Sequence, residues 1–591
     1  MIFRKDVPLN KQWELDSMFK SEEDFDRLFT ETEKMIVKIK GFEGTMTTQN
    51  SIDCLRLSTK LNLNVSRLYV YAMLKHDQNT GESKHQALMG RVEMLITKLY
   101  GAIAFIEPEL SSFEESDLVR MSSSEEYLDF SVILDDIIRN KKHILSKNEE
   151  ELIAEISAFS DGFKDVFSVF NNADLKFENV VDGKGNSLPL THGTYSLYLE
   201  SKDEILRKNA FTNYYKGFIA HKNTIGMNYI SAVKKDCTYS KIRKFSSALE
   251  KALFNENVDK LVYQNLIDSV RKNTPKMHEY VRYRRNALKK NEMHMYDMYL
   301  PISEGYELSM EYEEAYELIC KALAPLGEEY ISLLKRAFNE GWIDVFETEN
   351  KRSGAYSVSI YETHPYVLLN YTKTTHDIFT IAHEMGHAIH SYMSNRGQCP
   401  EKAEYRIFVA EVASTVNEVL LLKYLIERAD SKGRDFLLNY YVNMFRTTIF
   451  RQTMFAEFEK FSHDSYEEGK PLTPDFLSEE YYRLNKEYYG DGVIHDEQIA
   501  SEWLRIPHFY TPFYVYKYAT GLTAAVNIAK NILEDSSFIP KYFKMLSAGC
   551  SLPPVDILKL ADVDLSSPDP FEKAMNDFEG AVEQLKKSDK I

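Results

Sequence analysis

The sequence predicts a mainly α-helical protein, and three observations lead to this prediction. From about residue 16 to residue 170, apolar residues recur at helical spacing between short polar turns. The same pattern resumes near residue 200 and continues almost to the C-terminus. Alternation of β-branched and aromatic residues is confined to two short stretches. We therefore expect packed helices with at most small sheets.

The composition is that of a soluble globular protein, with 44% hydrophobic and 27% charged residues. A net charge of −18 argues against a nucleic-acid partner. The N-terminus has no apolar core of signal-peptide length, and no later run reaches membrane-spanning length. The five cysteines are scattered and show no paired spacing. We expect a cytoplasmic protein with reduced thiols and with neither nucleic acid nor membrane as a partner.

The first interruption of the helical pattern divides the chain into two predicted domains. Residues 177–190 place Gly-rich positions between short apolar runs, which predicts a β-hairpin. We place the boundary just after it, with an N-terminal helical domain over residues 1–200 and a second domain over residues 201–591. In the second domain, the basic run at residues 281–290 is most simply interpreted as a solvated helix face.

The second interruption, at about residues 341–371, predicts a small β-sheet. Its alternating residues end just before the next predicted helix, so one strand should lie beside that helix. An exposed strand edge at this position could bind a peptide backbone by β-addition, with little dependence on side-chain sequence.

The helix that follows carries the stretch His383-Glu384-Met385-Gly386-His387. Residues four apart project from one face of a helix, so His383 and His387 can place two imidazole nitrogens on one metal ion. This is the His-Glu-x-x-His arrangement of zinc peptidases. Glu384 points to the side, where it can reach a metal-bound water without ligating the metal.

The ends of this helix can also be predicted. Thr374 and Asp377 form a capping-box pattern at its start, and Asn395-Arg396-Gly397 predicts a left-handed stop. His390 shares a face with His383 but lies about 10.5 Å further along the helix axis. That is too far for both to bind one zinc ion, so we expect His390 to orient a neighbour or to pack.

A catalytic zinc site usually takes three protein ligands and leaves a fourth position for water. The next apolar helical run holds two candidates for the third ligand, Glu411 and Glu418, two turns apart on one face. One could bind the metal while the other orients a ligand histidine. The spacing leaves open which residue has which role.

Two further segments are informative. The first is a His- and Tyr-rich stretch, bounded by Pro507, Pro512 and Gly521, that contains His508, Tyr510, Tyr514, Tyr516 and Tyr518. Peptide hydrolysis creates an oxyanion that phenol or imidazole donors can stabilise, although tyrosines can equally belong to an aromatic core. The second is the tail from residue 570, whose apolar spacing predicts a last amphipathic helix that closes the core.

At these residues the chain resembles the thimet-oligopeptidase class of metallopeptidases and, within it, the bacterial oligoendopeptidase F group. The resemblance rests on residues 383–390, on residues 411–414, on the flanking segments 354–357 and 364–371, and on segments 505–510 and 513–521. It extends from about residue 205 to near the C-terminus.

The resemblance implies a large helical metallopeptidase fold, with a deep substrate channel between two helical halves and a small sheet next to the metal helix. It implies one Zn²⁺ per chain, and the expected ligands are His383, His387 and Glu411. The expected catalytic residues are Glu384 as general base and, as oxyanion donors, His508 and Tyr516, with Tyr510 as a further candidate.

Taken together, these observations predict a zinc-dependent endopeptidase that hydrolyses internal bonds of short oligopeptides. Two alternatives stay open. A metallocarboxypeptidase is possible because related helical zinc enzymes use the same motif and a distant glutamate. A peptide-binding or scaffolding protein with a vestigial site is possible as well. The oligomeric state is left undetermined by the sequence.

Overall fold

A computed structural model describes residues 3–157, 159–160, 162–303 and 307–588. Within these residues, helices dominate and the strands form one sheet of two strands and one of three. The predicted mainly α fold is therefore confirmed. The predicted channel between two helical halves stays a prediction.

The backbone packs into two compact units, each assembled from three separate segments. Unit 1 comprises Met1–Lys142, Glu307–Tyr424 and Ile528–Val563. Unit 2 comprises His143–Tyr306, Leu425–Asn527 and Asp564–Ile591. These units cut across the predicted division into residues 1–200 and 201–591, which stays a prediction.

Unit 1 contains the helices of the N-terminal segment and the helices around the His-Glu-x-x-His motif. Its helices are α1 (Glu22–Ile39), α2 (Ser51–Gln78), α3 (Ser83–Ile103), α4 (Ile106–Ser112), α5 (Glu115–Ser122), α6 (Ser131–Asn140), α15 (Tyr312–Ala322), α16 (Gly327–Asn339), α17 (Thr375–Gly397), α18 (Pro400–Ala403), α24 (Ile539–Leu546) and α25 (Pro554–Lys559). Helix α19 (Ile407–Arg428) begins in unit 1 and has its last four residues in unit 2.

Unit 2 contains the predicted hairpin and the C-terminal helix. Its helices are α7 (Lys147–Ser157), α8 (Gly162–Val169), α9 (His192–Leu199), α10 (Glu204–Ile219), α11 (Lys222–Ile242), α12 (Ala248–Glu256), α13 (Lys260–Lys272), α14 (Thr274–Ala287), α20 (Ser431–Phe445), α21 (Arg451–Glu467), α22 (Pro474–Tyr489) and α26 (Asp569–Ser588), and α23 (Tyr516–Glu534) begins there. Strands β1 (Val180–Val181) and β2 (Ser187–Leu188) pair antiparallel. The hairpin and the terminal helix are confirmed, because the predicted apolar face of α26 is buried.

The three-stranded sheet lies in unit 1 and matches the second predicted interruption. Strand β5 (Tyr366–Leu368) is fully buried between β3 (Ile343–Asp344), which runs parallel to it, and β4 (Tyr356–Val358), which runs antiparallel. Strand β4 is half-buried and pairs with β5 on one side, so its other edge is the edge of the sheet. The sheet therefore offers the strand edge that the sequence predicted beside the next helix.

The N-terminal segment holds this sheet in place. The indole of Trp13 donates to the carbonyl of Val367 at 2.8 Å. Arg4 and Lys351 both pair with the buried carboxylate of Asp344 in β3. A buried carboxylate needs such partners, since an unpaired one would destabilise the fold. Residues at the start of the chain thus fix the strands that precede the metal helix.

Two expectations on single segments need correction or restriction. The run at residues 281–290 is not simply a solvated face, because Arg284 is 1% exposed and its guanidinium donates to Tyr280 and to two backbone carbonyls. The prediction failed here because a helix with a polar surface can still place one arginine in the core.

In the described residues, no helix has the length and apolarity needed to cross a membrane. The cytoplasmic location stays a prediction.

Candidate active site

Helix α17 begins as the sequence predicted, and it presents the two motif histidines together. The side chains of Thr374 and Asp377 each accept from the other's backbone N–H, which completes the capping box. The rings of His383 and His387 lie 4.9 Å apart, nearly perpendicular to one another. Both rings are partly accessible, while the apolar residues of α17 are buried. The helix is otherwise buried, but one of its faces is thus accessible to solvent at these two imidazole rings.

Helix α19 supplies a carboxylate to the same point. An oxygen of Glu411 lies 3.4 Å from Nε2 of His383 and 3.5 Å from Nε2 of His387. Donor atoms bound to a tetrahedral zinc ion at about 2.0–2.1 Å lie about 3.4 Å from one another. The three donors, two imidazole nitrogens and one carboxylate oxygen, all lie within 4.8 Å of one another. They fit a zinc ion in type, and the two distances to Glu411 fit it in spacing.

Glu418 has a different place from Glu411, although both lie on the same helix. Its carboxylate accepts a hydrogen bond from Nδ1 of His383, on the ring edge opposite to the donor set. Burial would lower the pKa of His383, but this bond to Glu418 and the surrounding carboxylates raise it overall. The bond also fixes the tautomer that leaves Nε2 with a free lone pair.

The pKa of Glu411 is held at about 2, first by its hydrogen bond with His387 and against the effect of its own burial. Ser414 also donates to the Glu411 carboxylate at 3.1 Å. The carboxylate is therefore ionised throughout the neutral range, as a metal ligand must be.

Close packing of α17 on α19 brings these groups together, and sequence reasoning did not identify the residues responsible. A Cβ on Gly386 would lie 2.5 Å from the Cα of Ser414, so only glycine permits this approach. The buried amide of Asn417 donates to the carbonyl of Ala382 and accepts from Tyr330. In the sequence, this close packing was indicated by the glycine inside an otherwise apolar helix.

Glu384 and His390 differ in their access to this point. The Glu384 side chain is 8% exposed, and burial is the main cause that raises its pKa, opposed by the two histidines. His390 is 1% exposed and stacks on Tyr405 with ring centroids 3.7 Å apart. Its pKa is lowered to about 3 by burial and by His387. His390 is thus a neutral packing residue.

The helix ends at Gly397, but not with the predicted left-handed residue. Gln398 follows in extended conformation, and Gly397 does not have a positive φ. The glycine is needed for a different reason, since a Cβ there would lie 2.6 Å from the carbonyl oxygen of Ser547. The glycine thus correctly predicted where the helix ends, but the predicted left-handed conformation was wrong.

The second predicted group of residues lies in unit 2, at the start of α23. His508 is exposed, and its Nε2 lies 3.2 Å from the hydroxyl of Tyr518. The ring of Tyr514 lies parallel to that of His508 at a centroid distance of 6.0 Å. These three side chains, which we call the loop cluster, are accessible to a ligand of unit 2.

Tyr516 and Tyr510 lie on the other side of this segment. Tyr516 is 1% exposed and packs against Tyr263. Tyr510 is 8% exposed, stacks on Phe167, and accepts a hydrogen bond from Asn228. Their predicted catalytic role stays a prediction, but in this arrangement neither hydroxyl faces solvent as the loop cluster does.

A buried carboxyl group fixes the backbone of this segment. Phe513 has a positive φ of 54°, which is unfavourable for a bulky side chain. Its N–H donates at 2.6 Å to Glu459, a fully buried residue of α21. Asp236 and His463 also face this carboxyl, and burial is the main cause that raises its pKa to about 8. The bond holds the turn between His508 and Tyr514.

This carboxyl predicts a pH dependence of stability. Between the ordinary pKa of 4.5 and about pH 8, only the unfolded chain ionises at Glu459, so stability falls as the pH rises through this window. We expect the unfolding free energy of the wild type to fall faster than that of Glu459→Gln, by up to ~1.4 kcal/mol per pH unit. Urea unfolding at pH 5 to 8 measures both slopes. Equal slopes would show that Glu459 is ionised in the folded chain, and exposed Glu479→Gln serves as the matched control.

Comparison with known proteins identifies the family. The sequence pattern of peptidase family M3 matches residues 197–577, and that of oligopeptidase F matches residues 109–177. Oligopeptidase PepF of Bacillus subtilis is 40% identical over 98% of this chain and 88% of its own length. The chain belongs to the oligoendopeptidase F group of peptidase family M3. It is therefore a metallo-endopeptidase by family, and peptidase activity on oligopeptides is its general function.

Other relatives and solved structures agree. The oligoendopeptidase F homolog of Borreliella burgdorferi is 34% identical over 99% of this chain and all of its own length. A putative peptidase from Chlamydophila abortus has a TM-score of 0.94 at 32% identity, and covers 99% of both chains. Oligoendopeptidase-F from Enterococcus faecium has a TM-score of 0.72 at 33% identity, with 96% of this chain and 99% of that chain covered.

Proposed function

We propose that this M3 peptidase is a zinc-dependent endopeptidase that hydrolyses internal bonds of short oligopeptides, with Glu384 as general base. The observation that carries the proposal is the donor set of His383, His387 and Glu411. The Glu411 oxygen lies 3.4 and 3.5 Å from the two Nε2 atoms and all three ligand atoms lie within 4.8 Å of one another, which suits one zinc ion per chain. When bound there, zinc would supply Lewis-acid polarisation of the scissile carbonyl and would acidify a water.

Glu384 has the properties of a base for this reaction. It follows the first histidine directly, so it sits beside the donor set without belonging to it. Its carboxylate oxygen would take a proton from the attacking water and deliver it to the nitrogen of the leaving amine. Burial makes the carboxylate a stronger base, because it raises the pKa from its ordinary value.

We also propose that the loop cluster supplies the oxyanion donors. His508 keeps its predicted role, and the accessible hydroxyls of Tyr514 and Tyr518 are better placed to meet a substrate than the buried ones of Tyr516 and Tyr510. Removal of one such donor typically lowers kcat by about 10²–10³.

Phenylalanine variants separate the tyrosines. We expect Tyr514→Phe or Tyr518→Phe to lower kcat by about 10² with little change in stability, because both side chains are only partly buried. Tyr516→Phe should leave kcat within about threefold of the wild type, since its hydroxyl is in the core. Peptide turnover and thermal unfolding of all three variants test this. A large loss of kcat in Tyr516→Phe alone would restore the original assignment.

The edge of β4 is the proposed backbone-binding element. Its residues are half-buried and the strand pairs on one side, so an extended peptide could add to the sheet through main-chain hydrogen bonds. Peptides with N-methyl groups near the cleaved bond should bind more weakly. Unchanged binding of such peptides would reject this element.

The proposed function is tested with a length series of peptides blocked at both ends, incubated with and without a metal chelator. Internal cleavage that is confined to short peptides and abolished by the chelator is the expected result, read by mass spectrometry. Trimming of free C-termini without cleavage of blocked peptides would favour the carboxypeptidase. Peptide binding without any metal-dependent cleavage would favour a vestigial site.

Glu418 predicts a specific loss of metal affinity. Glu418→Gln removes the anionic partner of His383 Nδ1 but keeps the shape of the side chain. We expect zinc affinity to fall by about 10–100-fold, as measured by competition with a chromophoric chelator. Glu427→Gln, an exposed change on the same helix, is the matched control. Equal affinities in wild type and Glu418→Gln would exclude an orienting role.

A further inference from the structure

A π-helical turn in unit 2 brings two arginines to the same side. Helices α20 and α21 are continuous through the π-helical residues Arg446–Phe450, which separate Arg446 from Arg451 by five positions. In an α-helix, side chains five apart differ by about 140° in direction. A π turn aligns them, and such turns are frequent at functional sites.

Both arginines act on Tyr299. The guanidinium of Arg446 lies over its ring, 5.0 Å from the centroid. Burial would raise the pKa of Tyr299, but the charges of Arg451 and Arg446 outweigh it and lower the pKa. The Tyr299 side chain is half-buried, so one part of this group is accessible.

The positive charge here exceeds the negative charge offered by the described residues. Glu502 accepts from Arg451 at 2.5 Å and from Arg505 at 2.9 Å, and Tyr481 donates to its other oxygen. The Nε of Arg446 donates to the neutral side chain of Asn443. Among the described residues, Arg451 and Arg505 therefore share one carboxylate, and the Nε–H of Arg446 bonds a neutral group, in a chain whose net charge is −18.

The buried residues around this cluster add further positive charge and do not neutralise it. Arg284, which is 1% exposed, faces Arg446 and donates to neutral oxygens. The buried carboxylate of Asp297, which also acts on Arg284, is paired with Arg207 and Lys290. A buried excess of charge is unfavourable unless a counter-ion is present. Among the described residues, this cluster thus holds more guanidinium groups than carboxylates, which suits an anionic ligand.

Arg451 is a partly accessible group of this cluster. One of its nitrogens bonds Glu502, and its side chain is 17% exposed. The Arg505 side chain is exposed to a similar extent, 19%, but it bonds the same carboxylate and lies over two tyrosine rings. Its charge also contributes, after burial, to the lowered pKa of His508 in the loop cluster. The arginine donors therefore lie near the residues proposed to meet the scissile bond.

We propose that Arg451 and Tyr299, supported by Arg446, bind the C-terminal carboxylate of the peptide substrate. This inference rests on the proposed peptidase function and names the part of the substrate that the cluster recognises. A planar guanidinium matches a carboxylate in a bidentate geometry. Every short peptide carries one such group.

The test compares three labelled eight-residue peptides of otherwise identical sequence. The first has a free C-terminal carboxylate, the second a C-terminal amide, and the third an amide with one internal glutamate. Binding to full-length Glu384→Gln protein is measured by fluorescence anisotropy, so that cleavage is not needed. We expect the free acid to bind about tenfold more tightly than the amide. The internal glutamate should not restore binding.

Variants in the same background locate the effect. Arg451→Gln should reduce the preference for the free acid to less than about twofold, and Tyr299→Phe should reduce it to about threefold. Tyr299→Phe leaves the hydrogen bond between Arg451 and Glu502 intact. If Arg451→Gln does not fold, this variant still tests whether the cluster binds the C-terminal carboxylate. Arg434→Gln removes the same charge from an exposed residue that donates to Gln584, and should keep the full preference.

The outcomes are distinct. Equal binding of acid and amide, or an unchanged preference in both Arg451→Gln and Tyr299→Phe, overturns the proposal. Tight binding of the glutamate-containing amide also overturns it, in favour of an acidic side chain as the ligand. Acid-selective binding in a protein whose wild type cleaves no peptide would support the carboxylate site and reject the proposed function. Cleavage of peptides by the wild type, without a preference for the free acid in binding, would support the proposed function and reject the carboxylate site.

Discussion

Glu384→Gln is expected to bind zinc like the wild type and to lose nearly all peptide hydrolysis. Glutamine keeps the size and shape of the side chain, but its amide oxygen cannot take the proton of the attacking water. General-base catalysis contributes about 10²–10⁴-fold, and we expect kcat to fall by at least this factor. The donor set of His383, His387 and Glu411 does not include Glu384, so metal binding should be unaffected.

Two measurements check this result. Zinc content by mass spectrometry should be one ion per chain in both proteins, and turnover of a blocked peptide should be lost in the variant. Substantial residual turnover with full zinc content would reject Glu384 as the base. Loss of zinc would instead show that Glu384 holds the metal.

Gly386→Ala is expected to destabilise the protein and to weaken metal binding at the same time. The new Cβ would lie 2.5 Å from the Cα of Ser414, a backbone atom that cannot rotate away. Helix α19 must then shift and carry Glu411 and Glu418 with it. Overpacking of this kind costs about 1–3 kcal/mol, and a shift of about 1 Å is enough to spoil the spacing of the three donors.

The matched control is Gly90→Ala in α3, where a Cβ meets nothing within 4 Å. That change should be neutral or stabilise by about 0.5–1 kcal/mol, since alanine is the better helix residue. Thermal unfolding and zinc titration of both variants separate a local clash from a general effect of alanine. Normal zinc affinity in Gly386→Ala would mean that α19 does not need this contact.

The metal helix could be predicted from sequence because its signals are local. The capping box at Thr374 and the spacing of His383 and His387 depend on residues within a few positions of one another. The roles of Glu411 and Glu418 could not be separated in this way. Both face α17, and only the position of α19 along α17 decides which carboxylate meets the Nε2 atoms and which meets Nδ1.

The same limit explains the other differences. Tyr514, Tyr516 and Tyr518 alternate in a segment where a short turn passes into α23, so no single period assigns their faces. The charge run around Arg284 predicts a solvated face, whereas its guanidinium donates to carbonyl oxygens that lie 13 and 16 positions further along the chain. Gly397 marked the helix end, but the contact that requires glycine lies at Ser547.

That last contact has a consequence for biosynthesis. The final turn of the metal helix packs on Ser547, and Gln398 donates to the carbonyl of the same residue. At about 5–20 residues per second, a ribosome needs about 8–30 s to pass from one partner to the other. Unit 1 also takes its last segment from Ile528–Val563. The nascent chain therefore carries both histidines before Ser547, on which the last turn of their helix packs, has been synthesised.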